Sequence, residues 1–375
     1  MDFNLTKEEE LIRKAARDFA EKKVDPVAVE IDREDRIPED IYRGMAELEF
    51  YGIPFPKKYK GGGSTYTAFA VVVEELSQSL ACLGLVLTAH LLSAAAIYYF
   101  GTEEQKERYI APICTGESIG SFAFTEPSTG SDPKQLTSTA RLDGSEYVLN
   151  GTKRFITNST LKGHAVIVAL DEAGKVCAFI VEKNKEGYST SKPWDRMGWR
   201  GGQVADIYLK DCRIPVANFL GKTGEGYRIL LDAIGRSKMG ISAASVGIGQ
   251  AALNESIKYA KEKTWRDKTI SSFQTIQWLL ADMAIKVQAG RWMTYRLAFS
   301  MDNEMPDFIT QSAMTKTFAS EMSVEVTRQA VQVHGSYGYI KENKVERLYR
   351  DAKIGELVEG VNEIQRVIVA GDLLK

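Results

Sequence analysis

Residues 146–157 read Glu146-Tyr147-Val148-Leu149-Asn150-Gly151-Thr152-Lys153-Arg154-Phe155-Ile156-Thr157, and here the period of the chain turns from helical to β. Two β-type runs flank Asn150-Gly151, a dipeptide that two-residue turns favour because both of its residues tolerate positive φ; the spacing predicts a hairpin at that point. Downstream, AVIVAL (165–170), CAFIVE (177–182) and ADIYLKDCRIP (205–215) keep the pattern, with turn residues at 171–174. The expectation is an antiparallel β domain over residues 119–222.

On the N-terminal side, residues 1–118 are helical in pattern. Thr6 and Glu9 make a capping box, and Leu11, Ala15 and Phe19 recur at helical spacing. The stretch 68–101 is apolar nearly all round and belongs between other helices. After Gly101 a new amphipathic run starts at Thr102. On the C-terminal side, residues 241–263, 271–301 and 307–335 are long helical stretches with short connections, which means a bundle over 223–375. The fold class is therefore α+β: an N-terminal helical domain, a middle antiparallel β domain and a C-terminal four-helix bundle.

Composition narrows the function by exclusion. Apolar residues at 44% and charged residues at 26% are globular values, and the net charge of −2 leaves no basic field for nucleic acid or an anionic membrane. No apolar run is expected to approach the roughly 20 residues of a membrane span, and the charged start lacks a signal-peptide core. Cys82, Cys114, Cys177 and Cys212 lie far apart, as do His90, His164 and His334. Reduced thiols, a cytoplasmic location and no metal site are expected.

Four motifs could carry chemistry. Gly247-Ile248-Gly249-Gln250-Ala251-Ala252 fits a loose dinucleotide pattern, but helical sequence precedes it where a strand is needed, so close helix packing explains it better. The triple glycine at 61–63 lacks a P-loop lysine and reads as a turn. Phe124-Thr125-Glu126-Pro127-Ser128-Thr129-Gly130-Ser131-Asp132 offers hydroxyls and backbone donors to an oxygen-rich ligand, although composition alone also suits an ordinary turn. In Val358-Glu359-Gly360-Val361-Asn362-Glu363-Ile364-Gln365-Arg366, burial of Glu359 in an apolar cleft would raise its pKa and suit it to general-base work; a surface glutamate is the commoner alternative.

Taken in order, TEPSTGSD, NGTKRFITNS, RMGWRGG, YAKEKTWRDKTISSFQTIQ, QVHGSYGYIKENKVERLYRDAKI and VEGVNEIQR resemble the acyl-CoA dehydrogenase family over the whole chain. The resemblance implies FAD as cofactor and an acyl-CoA thioester as substrate. It implies flavin contacts from Phe122, Phe124, Thr125, Gly130, Ser131, Phe155, Thr157, Val361 and Glu363, with Ser131 also facing coenzyme A. Phe155 stands where the family usually has Trp, keeping a π face but losing the indole donor. A neighbouring subunit normally completes the FAD site, a role that falls here to Lys263, Arg266, Gln274, Gln332 and Gly335. Lys263 replaces a usual arginine, and Arg266 is expected to supply the missing donor.

The same resemblance makes Glu359 the catalytic base, taking the α proton while the β hydrogen leaves as hydride to FAD, with the backbone N–H of the base among the donors to the thioester oxygen. Some relatives carry the base at the position of Ser237, which cannot act as that carboxylate. Leu83, Leu87, His90, Leu91, Val358 and Gly360 are the expected acyl-pocket residues; Leu83 replaces the arginine of glutaryl-CoA relatives, disfavouring a dicarboxylic substrate. The resemblance further implies a homotetramer, as a dimer of dimers, and an electron-transferring flavoprotein as acceptor. An acyl-CoA oxidase (commonly a much longer chain), an enoyl-CoA reductase and a non-catalytic scaffold are the alternatives.

Overall fold

The computed structural model describes residues 4–132 and 135–375, so residues 1–3 of the opening motif lie outside the described residues. Thr6 begins α1 (Lys7–Phe19): its hydroxyl accepts from the Glu9 N–H at 3.2 Å, and Glu9 accepts from the Thr6 N–H at 2.8 Å. Two short helices, α2 (Ala28–Glu34) and α3 (Glu39–Glu47), lead to the glycine turn, where Gly61, Gly62 and Gly63 donate to the carbonyls of Pro56, Gly52 and Phe55. The long apolar stretch is two helices, α4 (Tyr66–Ser79) and α5 (Ala81–Phe100), because Leu80 takes an extended conformation between them. A second capping box, Thr102 with Gln105, opens α6 (Glu103–Cys114).

One expectation needs correction here. By length and composition, α5 could cross a membrane. Its residues instead pack against α4, α6 and the β domain, and 94% of its most apolar window is buried inside the protein. Apolar composition cannot separate a core helix from a spanning one; the surroundings do.

The middle domain holds β1 (Ile119–Ala123), β2 (Thr139–Asp143), β3 (Glu146–Thr157), β4 (Gly163–Leu170), β5 (Val176–Glu182), β6 (Tyr188–Thr190), β7 (Val204–Pro215) and β8 (Phe219–Leu220). They form one sheet in the order β6-β7-β3-β2-β4-β5-β8, with β1 beside β4. Two corrections belong here. First, the sheet is mixed, not purely antiparallel, since β1 and the start of β2 pair parallel with β4. Secondly, Asn150-Gly151 is not a hairpin turn: β3 runs straight through it, with a register shift against β7 between Leu149 and Gly151. The Asn150 side chain accepts from the Asp211 N–H at 2.8 Å, and Gly151 has φ +148 with the Ser138 hydroxyl 2.2 Å from where a Cβ would stand. A bulge therefore uses the residues that a turn would also favour. The real β2–β3 turn is at Gly144 (φ +64), where Asp143 faces Glu146.

The C-terminal bundle contains α7 (Gly226–Glu262), a small hairpin of β9 (Thr264–Trp265) and β10 (Lys268–Thr269), then α8 (Gln274–Asp302), α9 (Phe308–His334), α10 (Lys344–Ala352) and α11 (Asn362–Leu373). The three long helices pack on one another, with α10 and α11 laid along α9. Gly247 and Gly249 sit mid-α7. A Cβ on Gly247 would stand 2.3 Å from the Glu74 carbonyl, and one on Gly249 would stand 3.1 Å from Met322 Sδ. The glycines let helices touch; they bind no dinucleotide.

The RMGWRGG segment ties the three regions together. Arg196 pairs with Asp35 at 2.8 Å, the Gly201 N–H donates to the same carboxylate, and the Trp199 N–H donates to Asp351 at 2.6 Å. Arg350 pairs with Asp32 at 2.7 Å and donates to the Met197 carbonyl at 2.9 Å.

Candidate active site

Glu359 lies in the short link before α11 with φ +55, and Gly360 follows with φ +84. Three groups on other helices surround it. Ser237, fully buried on α7 with its hydroxyl donating to the Ile234 carbonyl at 3.1 Å, lies near its carboxyl, and the buried ammoniums of Lys238 on α7 and Lys316 on α9 act on its charge. Burial raises the Glu359 pKa above the ordinary carboxylate value; the Ser237 hydroxyl and the two lysines pull the other way and moderate the rise. Burial in turn lowers both lysines to about 8, against the attraction of Glu359. Ser237 and Glu359, far apart in the chain, thus lie close in space.

The link is braced from both sides. Gln365 donates to the carbonyls of Glu359 at 3.2 Å and Gly360 at 3.0 Å. Lys316 donates to the Gly360 carbonyl at 2.9 Å and to the Asn362 side chain at 2.8 Å. The Glu359 N–H makes no hydrogen bond with another described residue, so it is available to a substrate oxygen. Val358 is half-buried and packs on the core, Val361 precedes α11, and Glu363 is exposed in its first turn.

The two flavin motifs meet across the sheet. The Arg154 N–H donates to the Thr125 carbonyl at 2.8 Å, and Glu126 and Thr129 close a tight turn through reciprocal backbone bonds of 3.0 and 3.1 Å. Below the turn, Lys153 pairs with Glu126 at 2.6 Å, both side chains fully buried, and also donates to the Phe124 carbonyl at 3.2 Å. Phe122 and Phe124 are buried, whereas Gly130 and Ser131 are exposed at the end of the turn. Phe155 has φ +58 and is 57% exposed, an unusual state for an aromatic residue. Thr125 and Thr157 are half-buried, and neither hydroxyl bonds another described residue.

On α5 the expected pocket residues are placed differently. Leu83, Leu87 and Leu91 are fully buried, while Leu85, Ala89 and Leu92, at i, i+4 and i+7, keep 8%, 8% and 7% exposure. The less completely buried stripe of α5 is therefore the neighbouring one, because helical phase, not composition, selects which residues keep some exposure. His90 is committed to the α5–β1 junction: its Nδ1 accepts from the Gly120 N–H at 3.0 Å, and its ring lies edge-on to Tyr51 at 5.1 Å. Burial drives its pKa down to about 3, so the ring is neutral.

The remaining expected FAD residues gather at the opposite end of the bundle. Lys263 caps α7, with Nζ 5.3 Å from the centre of the Tyr337 ring. Arg266 (φ +47) and Asp267 (φ +65) make the β9–β10 turn, and the Arg266 guanidinium lies 4.3 Å from the centre of the Trp265 ring. Gln274 starts α8, Gln332 lies in the last turn of α9, and Gly335 (φ +58) ends it. Along α7 this end is about 35 Å from Lys238, at about 1.5 Å rise per residue. The structure does not bring these five residues to the Glu359 site of the same chain.

Sequence reasoning missed Lys238, Lys316, Gln365 and the Leu85, Ala89 and Leu92 stripe of α5. Lysines and glutamines in helices read as solvated faces, and only burial distinguishes these.

A helical domain, a mixed-sheet domain with a strained, open aromatic at Phe155, and a helical bundle with a desolvated carboxylate at Glu359 suit a flavin-dependent oxidoreductase acting on acyl thioesters. The comparisons agree. The chain matches the acyl-CoA dehydrogenase N-terminal, middle and C-terminal domains over residues 6–117, 121–212 and 224–374, and it belongs to the acyl-CoA dehydrogenase family. It is 42% identical to the acryloyl-CoA reductase (NADH) of Anaerotignum propionicum, over all of this chain and 96% of that one. Among solved structures, butyryl-CoA dehydrogenase from Megasphaera elsdenii matches with a TM-score of 0.98 and 34% identity, over the whole of both chains. A chain in the structure of the electron transferring flavoprotein of Acidaminococcus fermentans matches with a TM-score of 0.98 and 38% identity, also over the whole of both chains.

The chain is an FAD-dependent enzyme that acts on the CH–CH bond of acyl-CoA. Its residues fit the cofactor: an open ring at Phe155, hydroxyls at Thr125 and Thr157 that bond no other described residue, and, among the described residues beyond its chain neighbours, no atom within 4 Å of where a Gly130 Cβ would stand. When bound, FAD supplies the acceptor for the hydride. The rest falls to the protein. An ionised carboxylate at Glu359, on its braced link, is able to accept a proton, and its own N–H, unbonded among the described residues, is able to donate to an oxygen that gains charge as that proton leaves.

Proposed function

We propose that the chain interconverts an uncharged short, branched or alicyclic acyl-CoA, such as cyclohexanecarboxyl-CoA, and its 2-enoyl-CoA, with an electron-transferring flavoprotein as electron partner. The carrying observation is the apolar stripe of Leu85, Ala89 and Leu92 on α5, which offers no charge to a distal carboxylate. A buried carboxylate without a partner is strongly disfavoured, so glutaryl-CoA is excluded as the preferred substrate. Val358 adds an apolar wall beside the base. Anaerobic titration with butyryl-, isobutyryl-, cyclohexanecarboxyl-, glutaryl- and octanoyl-CoA tests this through bleaching of the flavin. Bleaching by one of the first three supports the assignment; preferential bleaching by glutaryl- or octanoyl-CoA overturns it.

The reductive direction is the second reading, favoured by the 42% identical acryloyl-CoA reductase. Faster reoxidation of the reduced protein by an enoyl-CoA than by the flavoprotein acceptor would establish it.

We also propose the tetramer, built as a dimer of dimers, with Lys263, Arg266, Gln274, Gln332 and Gly335 completing the FAD site of a second copy. On α8, Trp278, Ile285, Trp292 and Phe299 recur every seven residues with exposures of 63%, 66%, 37% and 58%. A seven-residue apolar repeat is the seam of one helix against another. Ile285→Glu should lower the mass seen by sedimentation and weaken FAD retention; an unchanged tetramer would remove α8 as the contact, and a wild-type monomer would remove the proposal.

A further inference from the structure

One buried carboxylate gathers the side chains around Phe155. Asp206, on β7 and 1% exposed, accepts at Oδ1 from the Phe155 N–H at 3.2 Å and from the Trp194 indole N–H at 2.9 Å. At Oδ2 it accepts from Arg154 Nε at 3.2 Å. Its own N–H donates to Ser191 Oγ at 3.0 Å, which fixes the backbone that carries it. The Phe155 and Trp194 rings consequently lie 5.4 Å apart, tilted by 52°. The Arg154 guanidinium lies 6.0 Å from the centre of the Phe155 ring and 5.8 Å from that of Trp194.

Three features of this cluster need a cause. A phenylalanine with φ +58 occupies a backbone region that it adopts only when its surroundings impose it. Phe155 and Trp194 remain 57% and 40% exposed, forming an open aromatic surface two rings wide. A guanidinium beside those rings would place a positive charge on that surface, but the Asp206 carboxylate compensates it.

We infer that Asp206 is the positioning residue of the flavin wall. It holds Phe155 in its left-handed conformation, sets the Trp194 ring beside it and neutralises Arg154, so the wall facing the cofactor is aromatic and carries no net charge. The inference rests on the placement of FAD against Phe155. Electrostatics supplies a signed consequence. Reducing a flavin adds negative charge, so an uncompensated guanidinium nearby favours the reduced form.

The test uses the holoenzyme and three variants, with the flavin midpoint potential and visible absorption spectrum as readouts. Asp206→Asn leaves Arg154 uncompensated and unpins the ring, so the potential moves upward and the flavin bands shift. Adding Arg154→Met to the same chain returns the potential toward that of the wild type while the band shift persists. A wild-type potential and spectrum in Asp206→Asn overturn the inference. If Asp206→Asn fails to fold, Trp194→Phe removes only the indole donor; a band shift there supports the inference, and an unchanged spectrum overturns it. Phe155→Leu separates the two levels. No spectral change in Phe155→Leu overturns the flavin placement itself, whereas a change there with none in Asp206→Asn overturns only the role of Asp206.

Discussion

Lys316 donates its ammonium to the carbonyl of Gly360 at 2.9 Å, so a buried cation on α9 grips the chain one residue after the base. Gln365 holds the same carbonyl from the other side at 3.0 Å. The link carrying Glu359 contains two consecutive positive-φ residues, and these two side chains hold it in place.

Loosening that grip should slow chemistry without emptying the enzyme. Lys316→Met is expected to lower the rate of flavin reduction by about 10²-fold, the cost of roughly 1 Å of misplacement. FAD content should stay near that of the wild type, because the change lies beside the base. Stopped-flow reduction under single-turnover conditions measures both.

The pH dependence follows from burial of the base. Glu359 must be ionised to act and its pKa is raised, so kcat/KM should rise with pH through a value above the ordinary carboxylate range and be lost as pH falls below it. Lys238 favours the ionised form, so Lys238→Met should move this acid limb to higher pH, while Lys238→Arg should leave it nearly in place. A full pH–rate profile for each variant decides the matter.

The ion pair under the TEP turn is structural. Burial opposes the charge of Glu126, but the Lys153 ammonium and the donors from Ser138 and Thr137 outweigh it and hold its pKa at about 2. Lys153→Met would leave that carboxylate buried and unpaired, at a cost of about 3–5 kcal/mol. The Glu126→Gln, Lys153→Met double variant should cost less than Lys153→Met alone. Urea unfolding followed by circular dichroism compares them.

Gly247 tests the rejected dinucleotide motif. A side chain there meets the Glu74 carbonyl, so Gly247→Val should destabilise the α4–α7 contact by about 1–3 kcal/mol or more. The loss should appear in the thermal midpoint of the apoprotein as well as the holoprotein. A defect confined to FAD binding would restore the ligand-site reading.

Much of the architecture was legible in the sequence because local rules suffice for it. The Thr6–Glu9 and Thr102–Gln105 boxes start helices through contacts within one turn, and β alternation after residue 146 marks strands by a period of two. Order and spacing of the motifs singled out Glu359, Thr125 and Phe155 as candidates. Where two structures draw on the same residues, local reading failed. Asn150-Gly151 suits a bulge as well as a turn, and α5 suits a core as well as a membrane.

The sequence by itself determined the order of helical, β and helical regions and singled out Glu359 as the candidate base, since these depend on neighbours a few residues apart and on motif order. Only the tertiary structure decided that Leu85, Ala89 and Leu92 keep slight exposure where Leu83, Leu87 and Leu91 have none, that Lys238 and Lys316 are buried beside Glu359, and that Asp206 holds Phe155, Trp194 and Arg154 together. Those facts depend on helical phase and on groups dozens to more than a hundred residues apart in the chain. Desolvation, which raises the Glu359 pKa, exists only once α7 and α9 have packed around it.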